Sequence, residues 1–129
     1  MAAPNIRGGI IEYHAPGEHF TVTVGAVAVL GGQVVKLSGN RTVVPTTGVA
    51  DVPAGIALYD GAIGEKVTIV TEGVWPVKAG AAVAAGDLLG PAATAGTVQP
   101  IGAGTFGVVV GQAMEAISNG ATGRVRLKI

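Results

Sequence analysis

The sequence predicts an all-β protein: a compact sandwich or small barrel built from two related halves, with an extended N-terminal arm. Three observations carry this reading. First, 22 glycines and 7 prolines interrupt the chain every few residues. The runs between them are short and rich in Val, Ile and Thr, the pattern of strands joined by tight turns. Second, the second half of the chain repeats the first at an offset of about 55 to 59 residues. Third, two segments at matching places in the repeat, 66–71 and 124–129, alternate apolar and polar residues with the period of a strand.

The repeat is legible residue by residue. Gly25 lies over Gly80, and residues 25–35 follow 80–89 with a one-residue slip at the second glycine. Residues 41–45 lie over 96–100, residues 55–58 over 111–114, and residues 64–69 over 123–128. A repeated block of short strands and glycine turns describes a scaffold, not a chain arranged around one catalytic centre. With 129 residues the chain is long enough for one domain with a real core. Each repeat alone is of marginal size. The expected organisation is therefore an arm, 1–19, and a single β domain, 20–129, with halves at about 20–75 and 76–129.

Taken in order, residues 1–19 lie outside the repeat. They contain Pro4, Gly8, Gly9, Pro16 and Gly17, both histidines, and the apolar residues Ile6, Ile10, Ile11 and Tyr13. This mixture predicts an extended arm. Residues 1–7 lack the apolar stretch of a signal peptide. Strands are predicted at 20–24, 33–37, 42–45, 55–58, 66–71 and 73–77, then at 87–89, 97–101, 107–114 and 124–129. Alternation turns Val67 and Ile69 inward, with Thr71 on the same side, and likewise Val125, Leu127 and Ile129. No segment predicts a helix: residues 112–118 have room for a turn or two, but the repeat lays Gln112 over Ile56 in a strand. The uncharged run 88–114 is long enough to cross a bilayer, but Pro91, Pro100 and six glycines forbid a spanning helix.

Charge is the unusual property. Only 12% of residues are charged, against about 25% in an ordinary soluble domain. A monomer of this mass exposes roughly 6,200 Å², or about one charged side chain per 400 Å². Such a surface suits a protein that lives in an assembly. The formal net charge is zero, and no basic cluster is dense enough for nucleic acid. Arg124, Arg126 and Lys128 share one face of a predicted strand, which reads as a solvated or interface-lining face. The absence of cysteine excludes disulfides and thiolate metal sites.

Candidate chemistry is sparse. Glu12, His14, Glu18 and His19 have the donor types for zinc, but Pro16 and Gly17 keep a helix from presenting them together, so no metal site is expected. Ser38 and Ser118 are the only serines, and neither sits in a nucleophile elbow. Residues 61–67 imitate a phosphate loop but lack its spacing and the hydroxyl residue after the lysine; a hairpin turn fits better. Residues 77–89 share the rhythm of biotinyl and lipoyl carrier domains without a lysine at a hairpin tip. The shared mechanics are a strand, a glycine turn, a strand and an acidic cap. Trp75, the sole tryptophan, serves either the core or an interface. No cofactor is expected.

The ordered set of motifs resembles the small capsid cement, or decoration, proteins of tailed phages. It runs from the valine-glycine block through 55–58, 64–69, Glu72-Gly73-Val74-Trp75, 84–87 and 107–113 to Arg124-Val125-Arg126-Leu127, covering roughly 20–129. The resemblance implies a non-enzymatic virion protein with a compact β fold. It implies binding to the major capsid protein on the outer surface of an expanded capsid, commonly as a homotrimer, with no role for nucleic acid or membrane. No catalytic residues carry over. The candidate capsid or subunit contacts are Ile6, Arg7, Ile10, Ile11, Tyr13, His14 and Trp75. The chain departs from the family pattern in the loop 38–53 and in the arm. The alternatives are another virion subunit, of a tail or fibre, and a carrier-type β domain.

Overall fold

A computed structural model describes residues 19–101 and 106–129. Ten strands account for its regular structure: β1 His19–Val24, β2 Val34–Gly39, β3 Thr42–Pro45, β4 Gly55–Ala57, β5 Lys66–Val70, β6 Glu72–Lys78, β7 Leu88–Pro91, β8 Val98–Pro100, β9 Gly111–Ala113 and β10 Thr122–Lys128. A single turn of 3-10 helix, Phe106–Val108, stands where the sequence pattern extends a strand back to residue 107. The valine run there still pairs at its end, since Val110 N donates to the Leu89 carbonyl.

The first five strands close into a barrel in the order β1-β3-β2-β4-β5, with β5 returning to β1. The last five form a sheet in the order β6-β10-β9-β7-β8. Four of the five neighbour relations in the barrel recur in this sheet with strand numbers raised by five; the exception is β1–β3. The turns agree as well. Gly25 N donates to the Val43 carbonyl and Gly80 N to the Val98 carbonyl. The bridge Val29–Gly61 recurs as Val83–Ile117. Gly32 and Gly86 both have φ of 89°, while Gly64 and Gly120 have 85° and 83°. The last pair corrects one part of the sequence alignment: Gly64 corresponds to Gly120, not Gly123. The triplet Gly-Arg-Val resembles the first half's turn in composition, but the turn that opens β10 lies three residues earlier.

The two halves differ at the seam. In the barrel, β1 and β3 run parallel and pair at Thr23–Thr42 and Val24–Val43. Only the bridge Ala79–Val98 survives between β6 and β8. The cause lies at Gly96, the counterpart of Arg41. The Arg41 carbonyl accepts from Thr23 N. By contrast, the Gly96 carbonyl accepts from Val34 N, and Gly96 N donates to the Thr46 carbonyl. The loop before β8 is thus tied to the first half, and the second sheet stays open.

Two clusters form the core. Val22, Val24, Val29, Val35, Val43, Ala57, Val67 and Ile69 fill the barrel. Val34, Ile56 and Val70 point out of the barrel wall and join Val77, Leu89, Val98, Val110, Val125 and Leu127 of the second half. The alternation read from sequence holds: Val67, Ile69, Val125 and Leu127 are buried, and Ile129 packs against the cluster partly exposed. What periodicity does not show is that Val70, on the opposite side of β5, is also fully buried, because the second half covers it.

Candidate interaction surfaces

The tip of the barrel is built by the turn before β2 and the turn before β5, held together at Val29–Gly61. Val29 points inward and is buried, while Val27, Leu30, Tyr59 and Ile63 stay exposed around it. Side chains stitch the tip: Leu30 N donates to Gln33 Oε1 at 2.8 Å, Gly31 N to Asp60 Oδ1 at 2.8 Å, and Ala62 N to Glu65 Oε1 at 2.8 Å. Residues 61–65 are accordingly a turn, and Lys66 and Val67 open β5. The equivalent tip in the second half has the same scaffold, with Asp87 Oδ2 accepting from Ala84 N at 2.9 Å, the acidic cap expected from sequence.

The two tips differ in what they show to solvent. Tyr59 Oη accepts from Thr68 N at 3.2 Å; its counterpart Glu115 accepts from Arg124 N at 2.8 Å. Leu30 and Ile63 correspond to Ala84 and Asn119, both exposed. One backbone geometry is therefore satisfied by apolar residues in one half and by small or polar ones in the other. The fold does not require the apolar choice, so the barrel tip is a candidate contact surface.

A second apolar group, Leu37, Val49 and Val52, surrounds the loop between β3 and β4. Asp51 fastens that loop, accepting from Thr47 N and Gly48 N and pairing with Lys36 Nζ at 3.0 Å. The bond from Thr47 N, helped by the Lys36 ammonium, holds the Asp51 carboxyl below the usual carboxylate range against an opposing desolvation effect.

A third surface is the outer face of β6 and β10. Arg124, Arg126 and Lys128 project from β10 opposite Pro76, Val74 and Glu72, and all of these residues are exposed. Lys78 joins them from the end of β6, opposite Thr122; sequence reasoning saw the three residues of β10 and missed the fourth. Beside this face a cavity of about 300 Å³ opens at the unsealed seam, lined by Gln33, Pro76, Lys78, Thr97 and Thr122 among others. Lys78 is the one titratable side chain among the described residues lining it.

Trp75 lies on the inner side of β6, half-buried, where it packs against the shared core. Its Nε1 donates to the Glu72 carbonyl at 2.9 Å, and its ring meets His19 edge-on at 6.2 Å. The other sequence-predicted contacts, Ile6, Arg7, Ile10, Ile11, Tyr13 and His14, lie outside the described residues. So do Glu12, His14 and Glu18 of the zinc-like cluster; His19 is described, and its ring faces Trp75.

A family model described as phage cement protein matches residues 14–129. The chain belongs to the phage cement protein family. The cement protein is thus located in the virion, on the outer surface of the capsid. No curated protein sequence matches it. Among solved structures it is similar to the N base of the head fiber protein of bacteriophage phi29. That match has a TM-score of 0.67 and 21% identity, covering 85% of the cement protein and 92% of the other chain. At this identity the likeness establishes the fold.

Proposed function

We propose that this cement protein binds the major capsid protein on the outside of the expanded shell and braces the shell mechanically, without catalysis, as a homotrimer. The match to the cement family along residues 14–129 carries the reading. The surfaces support it: a rigid β body presents apolar residues at one barrel tip, a second apolar loop, and a basic sheet face. Many modest contacts of this kind, repeated over a symmetric lattice, add up through multivalency. Within the proposal, residues Ile6, Arg7, Ile10, Ile11, Tyr13 and His14 supply further contacts ahead of β1.

The test is add-back to particles that lack the protein. Purified protein is expected to decorate emptied, expanded shells and to raise the temperature at which DNA-filled particles release their genome. Absence of binding, or binding without a change in release, overturns the reading. The fold shared with a head-fiber base favours a second reading, a fibre attachment base. Cryo-electron microscopy of decorated particles separates the two: a cement lies flat across shell subunits, and a base carries a projecting fibre.

A further inference from the structure

We propose that the outer face of β6 and β10 is an electrostatic docking surface for an acidic protein patch on the capsid shell; the inference rests on the cement reading above. Four of the chain's eight basic residues stand on this face: Lys78, Arg124, Arg126 and Lys128. Their spacing along β10 is about 6–7 Å. Directly across the ladder, Arg124 and Arg126 meet Pro76 and Val74, which carry no charge. Glu72 stands opposite Lys128. Among the described residues the one ion pair is Lys36–Asp51, so none of these four cations is neutralised by a bound carboxylate.

The other described carboxylates are engaged elsewhere. Of the six acidic residues in the described segments, five accept backbone N–H bonds that hold turns: Asp51, Asp60, Glu65, Asp87 and Glu115. Glu115 is the nearest of them to the basic face, and its oxygen is turned to the backbone of Arg124. Among the described residues, five of six carboxylates thus brace turns, and only Glu72 stands on the face that carries the four cations. The repeat supplies the control. The register places Thr23, Thr68 and Val70 of the first half at the positions of Lys78, Arg124 and Arg126. Thr23 and Thr68 hold their strands without charge, so the sheet does not need cations at those two positions; Val70 is uncharged because the second half buries it. Unpaired like charges on one strand face carry a cost in the free protein. An acidic partner removes it and gains direct pairs.

A protein partner fits better than nucleic acid. Val74 and Pro76 put apolar surface between the cations, and Glu72 adds a negative charge. A phosphate backbone favours an unbroken run of cations. A mixed apolar and charged face matches the composition of a protein interface, where charge sets the encounter rate and the choice of partner.

The experiment measures binding to emptied, expanded shells of the phage's own major capsid protein. The proteins are the full-length wild type, the double variant Arg124→Glu/Arg126→Glu, the milder Arg124→Gln/Arg126→Gln, and the control Arg41→Glu/Lys66→Glu in the barrel half. Thermal melts establish that each is folded. Wild-type affinity is expected to fall as salt rises from about 50 mM to about 500 mM. The Glu double variant is expected to bind at least about tenfold more weakly at low salt, with a flattened salt dependence, and the Gln variant to lie between. The control is expected to bind as wild type. Folded Glu and Gln variants that bind like wild type overturn this inference and leave the cement reading intact. Failure of the wild type to bind shells overturns both. If the wild type binds duplex DNA as tightly as shells, and the Glu variant loses both, the face is a nucleic-acid surface and the proposal falls.

Discussion

At the scale of single residues, the same backbone position is occupied under different constraints in the two halves. Arg41 is the described non-glycine residue with positive φ, at 51°, and it sits in an exposed hairpin. Its counterpart Gly96 has φ of 69°, and a Cβ there would lie 2.5 Å from Gln33 Cγ. A left-handed conformation costs a side-chain-bearing residue about 1–2 kcal/mol. Gly96→Ala is therefore expected to destabilise by at least about 1–2 kcal/mol. Arg41→Gly is expected to be neutral or stabilising by up to about 1 kcal/mol, since strain relief opposes the added freedom of the unfolded chain. Denaturant melts of both variants check the contrast. Asp51 gives a pH signature. Its folded pKa is lowered, so its contribution is complete above the unfolded carboxylate pKa of about 3.9. It is lost as pH falls through the lower folded value. Asp51→Asn should be less stable than wild type near neutral pH, with the difference shrinking as pH drops below about 4. Parallel melts at a series of pH values show whether it does.

At the scale of elements, alternation within one strand predicts one buried face, and β10 meets that prediction. Its residues alternate exposed and buried, with Val125 and Leu127 inward. Leu127→Ala is expected to cost about 2–5 kcal/mol in a denaturant melt. A loss under about 1 kcal/mol would mean that Leu127 makes little packing contact. β4 reads differently: Gly55, Ile56 and Ala57 are all buried, because one side faces the barrel interior and the other faces the second half. Glycine at the matching positions Gly55 and Gly111 has a steric reason. A Cβ on Gly111 would collide with the Arg126 carbonyl of the paired strand, and one on Gly55 would lie 3.0 Å from the Val70 carbonyl. At Gly111 the strands approach too closely for any other residue; at Gly55 a Cβ needs the neighbouring strand to give by a few tenths of an ångström. Of the candidate contacts, the β10 cations were legible because a strand's period assigns them to one side. Lys78 was not, since its place beside them depends on which strand pairs with β10.

At the scale of the whole molecule, the barrel and the open sheet share one apolar cluster. Val34, Ile56 and Val70 cross from the first half into the core of the second, and Gly96 is hydrogen-bonded to Val34 and Thr46 across the same boundary. Each half loses buried surface if the other unfolds: the barrel exposes Val34, Ile56 and Val70, and the open sheet exposes the residues they cover. Heat is therefore expected to unfold the two halves in a single transition, with calorimetric and van't Hoff enthalpies in agreement. Ile56→Ala should lower the melting temperature of the whole without splitting the transition. Two resolved transitions would show that the shared cluster contributes little. Deleting residues 1–18 is expected to leave that transition nearly unchanged while reducing shell occupancy. Melting and capsid binding of the truncated protein test the two parts separately.

The sequence by itself determined the all-β class, the position of nearly every strand, the twofold repeat and the inward phase of β5 and β10. These follow from local physics: glycine and proline end strands, and alternation selects a face. The fate of each strand's other face was decided only in three dimensions. Val34, Ile56 and Val70 are buried because the outer wall of the barrel packs on the inner face of the open sheet. The same packing diverts the Gly96 carbonyl from β6 and leaves one half closed and the other open. Surface function is non-local for the same reason. Leu30, Tyr59 and Ile63 meet at one tip, and Lys78 meets the cations of β10, through pairing between segments far apart in the chain.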